Sequence, residues 1–321
     1  MTTFSPKQRS LSLLLAAFFS TGFPVKAAVF GVDDRVLITP SSPVASLSRS
    51  TAVAVLGALI EEKADGTFSI ETDSLEGMLC RDEKFADKPS LPYACSGFLV
   101  APDLLVTAGH CMVNQGETRN EKAMYCEAYS SWVFDYMMDD KGGVKNKNIP
   151  ADNHYRCKQI VYAVYESTAP FRDFAVVQLD RPVKGRTPWK IADAPVSSRD
   201  TLRMIGHPMG LPSVLSRNAR VLENDPAHQY IRTNLDAFDG NSGSVVFNAK
   251  NEAVGLLVEG TPASWFTDSK KSCERLNKCD ERGFHCVLPW TDPERPQASS
   301  SVQKIAPVLE VILEFERSRG R

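Results

Sequence analysis

The chain has 321 residues, 43% hydrophobic and 24% charged, with a formal net charge of −2 and a pI near 6.2. These values allow one large domain or two small ones, and they give no electrostatic reason to expect nucleic acid or a polyanionic surface as partner. Eight cysteines make the compartment the next question.

Lys7 and Arg9 precede an apolar run from Leu11 to Phe19, and Val25-Lys26-Ala27 offers a processing site, so residues 1–27 read as an export signal. The run is too short for a typical membrane span, and no later segment approaches about twenty apolar residues. The expected product is secreted or periplasmic, without stable membrane association, in a compartment where cysteines can stay oxidised.

Residues 28–50 read as an arm: Gly31-Val32-Asp33-Asp34-Arg35 is followed by a Ser/Pro-rich stretch, Pro40 to Ser50. From Thr51 the pattern becomes short apolar runs broken by turns: Thr51 to Ile60, Ser96 to Val100, Leu104 to Ala108, Trp132 to Met137, Ile160 to Tyr165 and Phe174 to Leu179. More follow at Leu202 to Gly206, Tyr230 to Thr233, Ser244 to Phe247 and Ala253 to Val258. Many short strands predict an all-β barrel or sandwich architecture. The stretch from Pro182 to Asp200 is rich in Pro and Gly and suits a linker, dividing the chain into 51–185 and 186–300. Ile305, Val308, Leu309, Ile312, Leu313 and Phe315 fall at helical spacing and predict a closing amphipathic helix within 301–321.

Three short blocks carry chemistry. In Asp239-Gly240-Asn241-Ser242-Gly243-Ser244, Ser242 is a candidate nucleophile; a hydroxyl needs a base to take its proton and donors to receive the developing oxyanion. Gly240 would let its own amide and that of Ser242 converge, and Gly243 would leave room for substrate. Val106-Thr107-Ala108-Gly109-His110-Cys111 places His110 at the end of a strand, in a small-residue setting that suits a barrel rim. Phe171-Arg172-Asp173-Phe174 puts Asp173 at the mouth of an apolar strand, where it can orient an imidazole; Asp180, before Arg181-Pro182, is the rival and reads as a solvated turn. The histidines and their neighbourhoods form no open-site ligand set, so no metal and no cofactor are expected. A zinc set of Cys273, Cys279, His285 and Cys286 is the alternative to disulfides near the C-terminus.

In order, these blocks resemble the three triad motifs of trypsin/chymotrypsin-like serine peptidases, and the Gly-Asn-Ser-Gly-Ser and Gly-Val-Asp-Asp-Arg stretches look most like the bacterial branch that includes glutamyl endopeptidases. The resemblance covers roughly residues 51 to 318. It implies two antiparallel six-stranded β-barrels with the active site between them and a C-terminal α-helix. His110 would be base and then acid, Asp173 would hold its tautomer, Ser242 would attack, and the Gly240 and Ser242 amides would bind the oxyanion. It further implies a Cys95–Cys111 disulfide. The other six cysteines allow fifteen pairings; Cys126 with Cys157 would close an inserted hairpin from Glu127 to Arg156, and Cys80 would serve one of the last three.

The expected activity is endopeptidase hydrolysis of protein or peptide substrates by a monomer. In the family the residue six before the nucleophile lines the base of the primary pocket; here it is Asp236, beside Ala237, so cleavage after Arg or Lys is expected, with Gly260 and Thr261 as the opposite wall and docking edge. The competing reading bends the loop so that Asp236 meets solvent or a structural arginine, since Phe238 replaces a bracing cysteine. Ala237 and Leu256-Leu257-Val258 supply neither the hydroxyl nor the histidine of a glutamyl endopeptidase. Asn241 stands where digestive members carry the aspartate that pairs with a new amino terminus, so activation by that ion pair is not expected. The alternatives are a glutamyl-type endopeptidase and, in other functional classes, a catalytically silent, peptidase-like secreted binding protein or an esterase.

Overall fold

The computed structural model of the chain describes residues 28–92, 94–115, 126, 131–260, 265–289 and 297–320. The arm contributes two short strands, β1 (Val29–Phe30) and β2 (Val36–Leu37). Six longer strands follow in the first half, beside two short two-stranded sheets: β3 (Thr51–Val55), β4 (Cys95–Ala101), β5 (Leu104–Thr107), β6 (Ser131–Phe134), β7 (His154–Tyr165) and β8 (Asp173–Leu179). They close into a barrel in the order β6-β7-β8-β5-β4-β3. The strands are rich in Val, Ala, Leu and Phe, which suit a pleated surface with one face in a core. Their inward side chains, including Phe98, Leu104, Val106, Trp132, Phe134, Tyr155 and Phe174, are almost fully removed from solvent.

The second half supplies β9 (Thr201–Gly206), β10 (Val214–Glu223), β11 (Tyr230–Thr233), β12 (Val245–Phe247), β13 (Ala253–Glu259), β14 (Lys278–Cys279) and β15 (Ser300–Lys304). The order β9-β12-β13-β15-β11-β10, with β10 pairing back to β9, closes a second six-stranded barrel, and β2 adds to the edge of β10 through Leu37 and Val214. Two closed antiparallel barrels and a C-terminal helix therefore make up the fold.

That helix, α1, runs over Ala306–Arg319. The sequence placed helix from 301, but residues Ser300–Lys304 are the second barrel's missing strand. Their polarity concealed them. Ser300 and Gln303 are fully buried yet hydrogen-bonded, Ser300 Oγ donating to the Leu235 carbonyl at 2.8 Å, so this strand lacks an apolar alternation. From β15, α1 crosses to the first barrel, where Val308 and Ile312 join its core cluster and Arg319 donates to Asp103 at 2.8 and 3.0 Å.

Four disulfides are present: Cys80–Cys273, Cys95–Cys111, Cys126–Cys157 and Cys279–Cys286. They include both anticipated pairs and the link from Cys80 to the C-terminal cluster. They also remove the zinc alternative, because no thiol of that set remains to ligate. Residues 127–130 of the anticipated hairpin lie outside the described residues.

Candidate active site

His110 stands on a single 3₁₀ turn, Gly109–Cys111, that continues β5 at the barrel rim. This turn lies directly against β7 and β8. A Cβ on Gly109 would fall inside contact distance of the Val164 carbonyl and the Phe174 amide, so the close approach requires glycine. Cys111 is bonded back to Cys95 at the start of β4, which pins the far side of the turn.

Asp173 is the first residue of β8 and is 8% exposed. Its Oδ1 accepts the His110 backbone N–H at 3.0 Å, and its Oδ2 lies 2.7 Å from His110 Nδ1. A carboxylate at this distance requires Nδ1 to carry the proton, which leaves Nε2 as an acceptor. Ser242 Oγ lies 2.8 Å from Nε2 and donates to it. Burial pulls the His110 pKa down, but the charge and hydrogen bond of Asp173, and then the charges of Glu259 and Asp239, outweigh it, and the net shift is upward. Asp180 is not part of this chain: it pairs with Arg181 at 2.9 Å and receives the Arg156 amide.

The loop before Ser242 is held from several directions. The Asp239 carbonyl accepts the Met209 N–H, and a trans peptide points its N–H opposite to its C=O, so the Gly240 amide is aimed away from Met209. The Gly240 carbonyl accepts Ser96 Oγ at 2.7 Å, and that hydroxyl in turn accepts the His207 N–H at 3.0 Å. Gly240 has φ +90°, and a Cβ there would strike the His207 carbonyl. The space beside Gly243 is filled by the Ser96 carbonyl and the Thr107 hydroxyl, so that glycine serves backbone packing instead of making room for substrate.

This hydrogen-bonded series of an aspartate, a histidine and a serine, gathered at the rims of two barrels, is accompanied by a sequence match. A family model of the trypsin-like peptidase domain matches residues 95–256. The chain belongs to the trypsin-like peptidase family. Among solved structures, it is similar in fold to a Glu endopeptidase determined in complex with MPD, with 16% identity, a TM-score of 0.51 and coverage of 90% of this chain and 99% of that one. A serine endoprotease from Yersinia pestis gives 12% identity and a TM-score of 0.43 over 87% of this chain and 68% of the other. A protease from M. tuberculosis, in an inactive form, gives 12% and 0.40 over 87% and 98%. No curated protein matches the sequence.

The residues expected to form the primary pocket of this family member are placed differently. Asp236 is 6% exposed, and its Oδ1 accepts the N–H of Phe30 in β1 at 2.7 Å. Burial pushes its pKa up to about 8 against the opposing effects of the Phe30 hydrogen bond and the Arg35 charge. The carboxyl is turned toward the arm and away from solvent, so the structure does not place it at the base of an open pocket. Ala237 is fully buried in the second barrel's core cluster beside Phe238, so it lines no open cleft. Gly260 follows β13 directly and is buried, and Thr261 lies outside the described residues.

The arm explains the displacement. Val29 N–H donates to the Asn277 carbonyl at 2.9 Å, and β1 pairs in parallel with β14. Arg35 has no exposed surface; it pairs with Asp33 at 2.7 Å, and its guanidinium lies 4.4 Å from the Phe238 ring centroid. Arg35 and Phe238 thus join the arm to the loop before Ser242, while Asp236 meets neither solvent nor an arginine side chain but the Phe30 amide. Asn241 is 1% exposed and accepts Ser244 Oγ at 3.1 Å, while the described start of the chain, Ala28, is buried next to Cys279 and Ala298.

Sequence reasoning passed over Ser96, Gln303 and Glu259. Only Glu259 left a usable mark, as a charge ending the apolar run before Gly260.

Proposed function

We propose that this chain is an exported serine endopeptidase that hydrolyses protein or peptide substrates through an acyl-enzyme. The observation that carries the reading is the uninterrupted hydrogen-bond chain from Asp173 through His110 to Ser242, at 2.7 and 2.8 Å. Ser242 Oγ attacks the scissile carbonyl while His110 Nε2 takes its proton. The imidazolium is stabilised by Asp173, and the amides of Gly240 and Ser242 receive the oxyanion. His110 then protonates the leaving amine, and a water, deprotonated by the same nitrogen, releases the acid.

The preference expected from the pocket position of Asp236 shifts to other residues. Glu259 ends β13 one residue before the Gly260 docking edge, Asp239 precedes Gly240, and the charges of both reach His110. A cleft edged by two carboxylates favours peptides with Arg or Lys near the scissile bond and disfavours acidic ones. Four disulfides among the described residues, and no described helix long and apolar enough to cross a membrane, are compatible with an exported product.

A fluorophosphonate probe tests the enzyme reading. Labelling of the wild type and none of Ser242→Ala is expected; a folded wild type that takes no label overturns the reading in favour of a binding protein. Profiling on a mixed peptide library tests the preference. Cleavage mainly beside Arg and Lys, reduced in Glu259→Gln and Asp239→Asn, supports it, and cleavage mainly after Glu rules it out.

A further inference from the structure

Gln303 is the fourth residue of β15, in the second barrel, and its side chain has no exposed surface. Its backbone is in register with Tyr230 of β11 on one side and Leu256 of β13 on the other. The side chain leaves that barrel. Its Oε1 accepts the backbone N–H of Asp173, in the first barrel, at 2.9 Å. Its Nε2 donates to the Gln229 carbonyl at 2.8 Å and to the Lys304 carbonyl at 3.3 Å. The chemistry of the partners fixes the amide's orientation, because an N–H can only be met by the oxygen and carbonyls only by the nitrogen. A buried amide with both ends satisfied is stiff, since any rotation leaves a polar group unpaired.

We infer that Gln303 is a positioning residue for the triad: it fixes the Asp173 backbone from across the seam between the barrels, and so sets how the Asp173 carboxylate meets His110. The geometry makes this specific. Asp173 holds the His110 ring and the His110 backbone with its two oxygens, so a shift or twist at the Asp173 peptide changes both contacts together. Asp173 and His110 lie in one barrel and Ser242 in the other, and β15 lies beside β13, which pairs with the β12 strand that follows Ser242. Gln303 therefore references the acid to the same sheet that carries the nucleophile. Displacement of a catalytic group by about 1 Å can cost of order a hundredfold in rate.

This inference rests on the peptidase reading, and the two fail separately: a wild type that neither labels nor turns over defeats the reading, whereas an active wild type leaves Gln303 to be tested. The variant Gln303→Met keeps length and volume but removes the acceptor and both donors. Its kcat is expected to fall by roughly tenfold or more with KM within about twofold, because the contact acts on the reacting groups and not on substrate binding. The acid limb of kcat/KM is expected at lower pH than in the wild type, and the low-field proton resonance of the Asp173–His110 hydrogen bond should move or broaden. A purely structural role would lower the melting temperature and leave the acid limb and the resonance in place. A folded Gln303→Met with wild-type kcat, limb and resonance overturns the proposal. If that variant does not fold, Gln303→Asn decides, since its amide falls about 1.5 Å short of Asp173: a lower kcat with a displaced limb supports the inference, and unchanged values overturn it.

Discussion

The two rims that face each other across the cleft are built in different ways. The base and acid rim draws mainly on one barrel: His110 sits on a turn pressed against β7 and β8, Asp173 begins β8, the Cys95–Cys111 bridge ties that turn to β4, and Gln303 reaches in from the other barrel. The nucleophile rim is assembled from distant segments. Ser96 of the first barrel holds the Gly240 carbonyl, the loop before β4 holds the 208–210 turn through Ser90 Oγ to the Met209 carbonyl at 2.6 Å, and the arm holds Asp236 and Phe238. Orienting an imidazole takes two short-range contacts. Aiming backbone amides takes a whole loop held in one conformation, and a short glycine-containing loop cannot fix that by itself.

Predictions that break the comparison begin with the chemistry, which needs both rims at once. Ser242→Ala and His110→Ala should each lower kcat by about 10⁶-fold and Asp173→Asn by about 10⁴-fold, measured on a chromogenic peptide, with binding of a product-like inhibitor largely retained. If the nucleophile rim depends on the arm, Arg35→Met should remove about 3 kcal/mol of stability in urea titrations, because Asp33 loses its closer partner, keeping Lys84 at 3.5 Å, and Phe238 loses its cap, and activity should fall in the fraction that remains folded. The same change at Arg156, whose 3.5 Å pair with Glu62 is well exposed, should stay within about 0.5 kcal/mol.

Titration separates the rims more gently. The His110 pKa is raised in the folded protein, so the acid limb of kcat/KM should lie above the ordinary histidine value, with activity lost as pH falls through it; Glu259→Gln should move that limb downward. Asp236 works in the other direction on stability. It keeps its proton in the folded state up to about pH 8, whereas the unfolded chain releases it near the ordinary 3.8, so the folded state holds the extra proton between those values and stability declines as pH rises across that window. Asp236→Asn should flatten that decline in urea midpoints taken at pH 5 and pH 8. An unchanged slope would place the titration elsewhere.

The contrast between rims also explains what the sequence disclosed. Each triad residue lies in a contiguous block whose neighbours are needed for local reasons: Gly109 for the approach to Val164, Gly240 for its left-handed turn. Such needs leave their mark within a few residues. Of the twelve strands in the two barrels, apolar runs disclosed ten, and β10 and β15 were hidden, β10 because the exposed Arg217 and Asn218 interrupt it, β15 because its buried groups are polar and satisfied. Asp236 was misplaced for a longer-range reason. Its distance from the nucleophile in the chain says where its backbone lies, and the direction of its side chain was decided by an arm 206 residues away.

The Cys80–Cys273 bridge joins positions 193 residues apart, linking a loop inserted between β3 and β4 to the region beyond β13. Residues of that loop, Leu75, Leu79 and Ala86, pack into the second barrel's core cluster, so the bridge fastens a first-half loop to the second barrel as a covalent link separate from the chain connection at 180–200. The chain connection alone already makes the two halves one molecule; the bridge adds a closed loop of 193 residues to the unfolded chain, so its reduction should cost roughly 4 kcal/mol of stability.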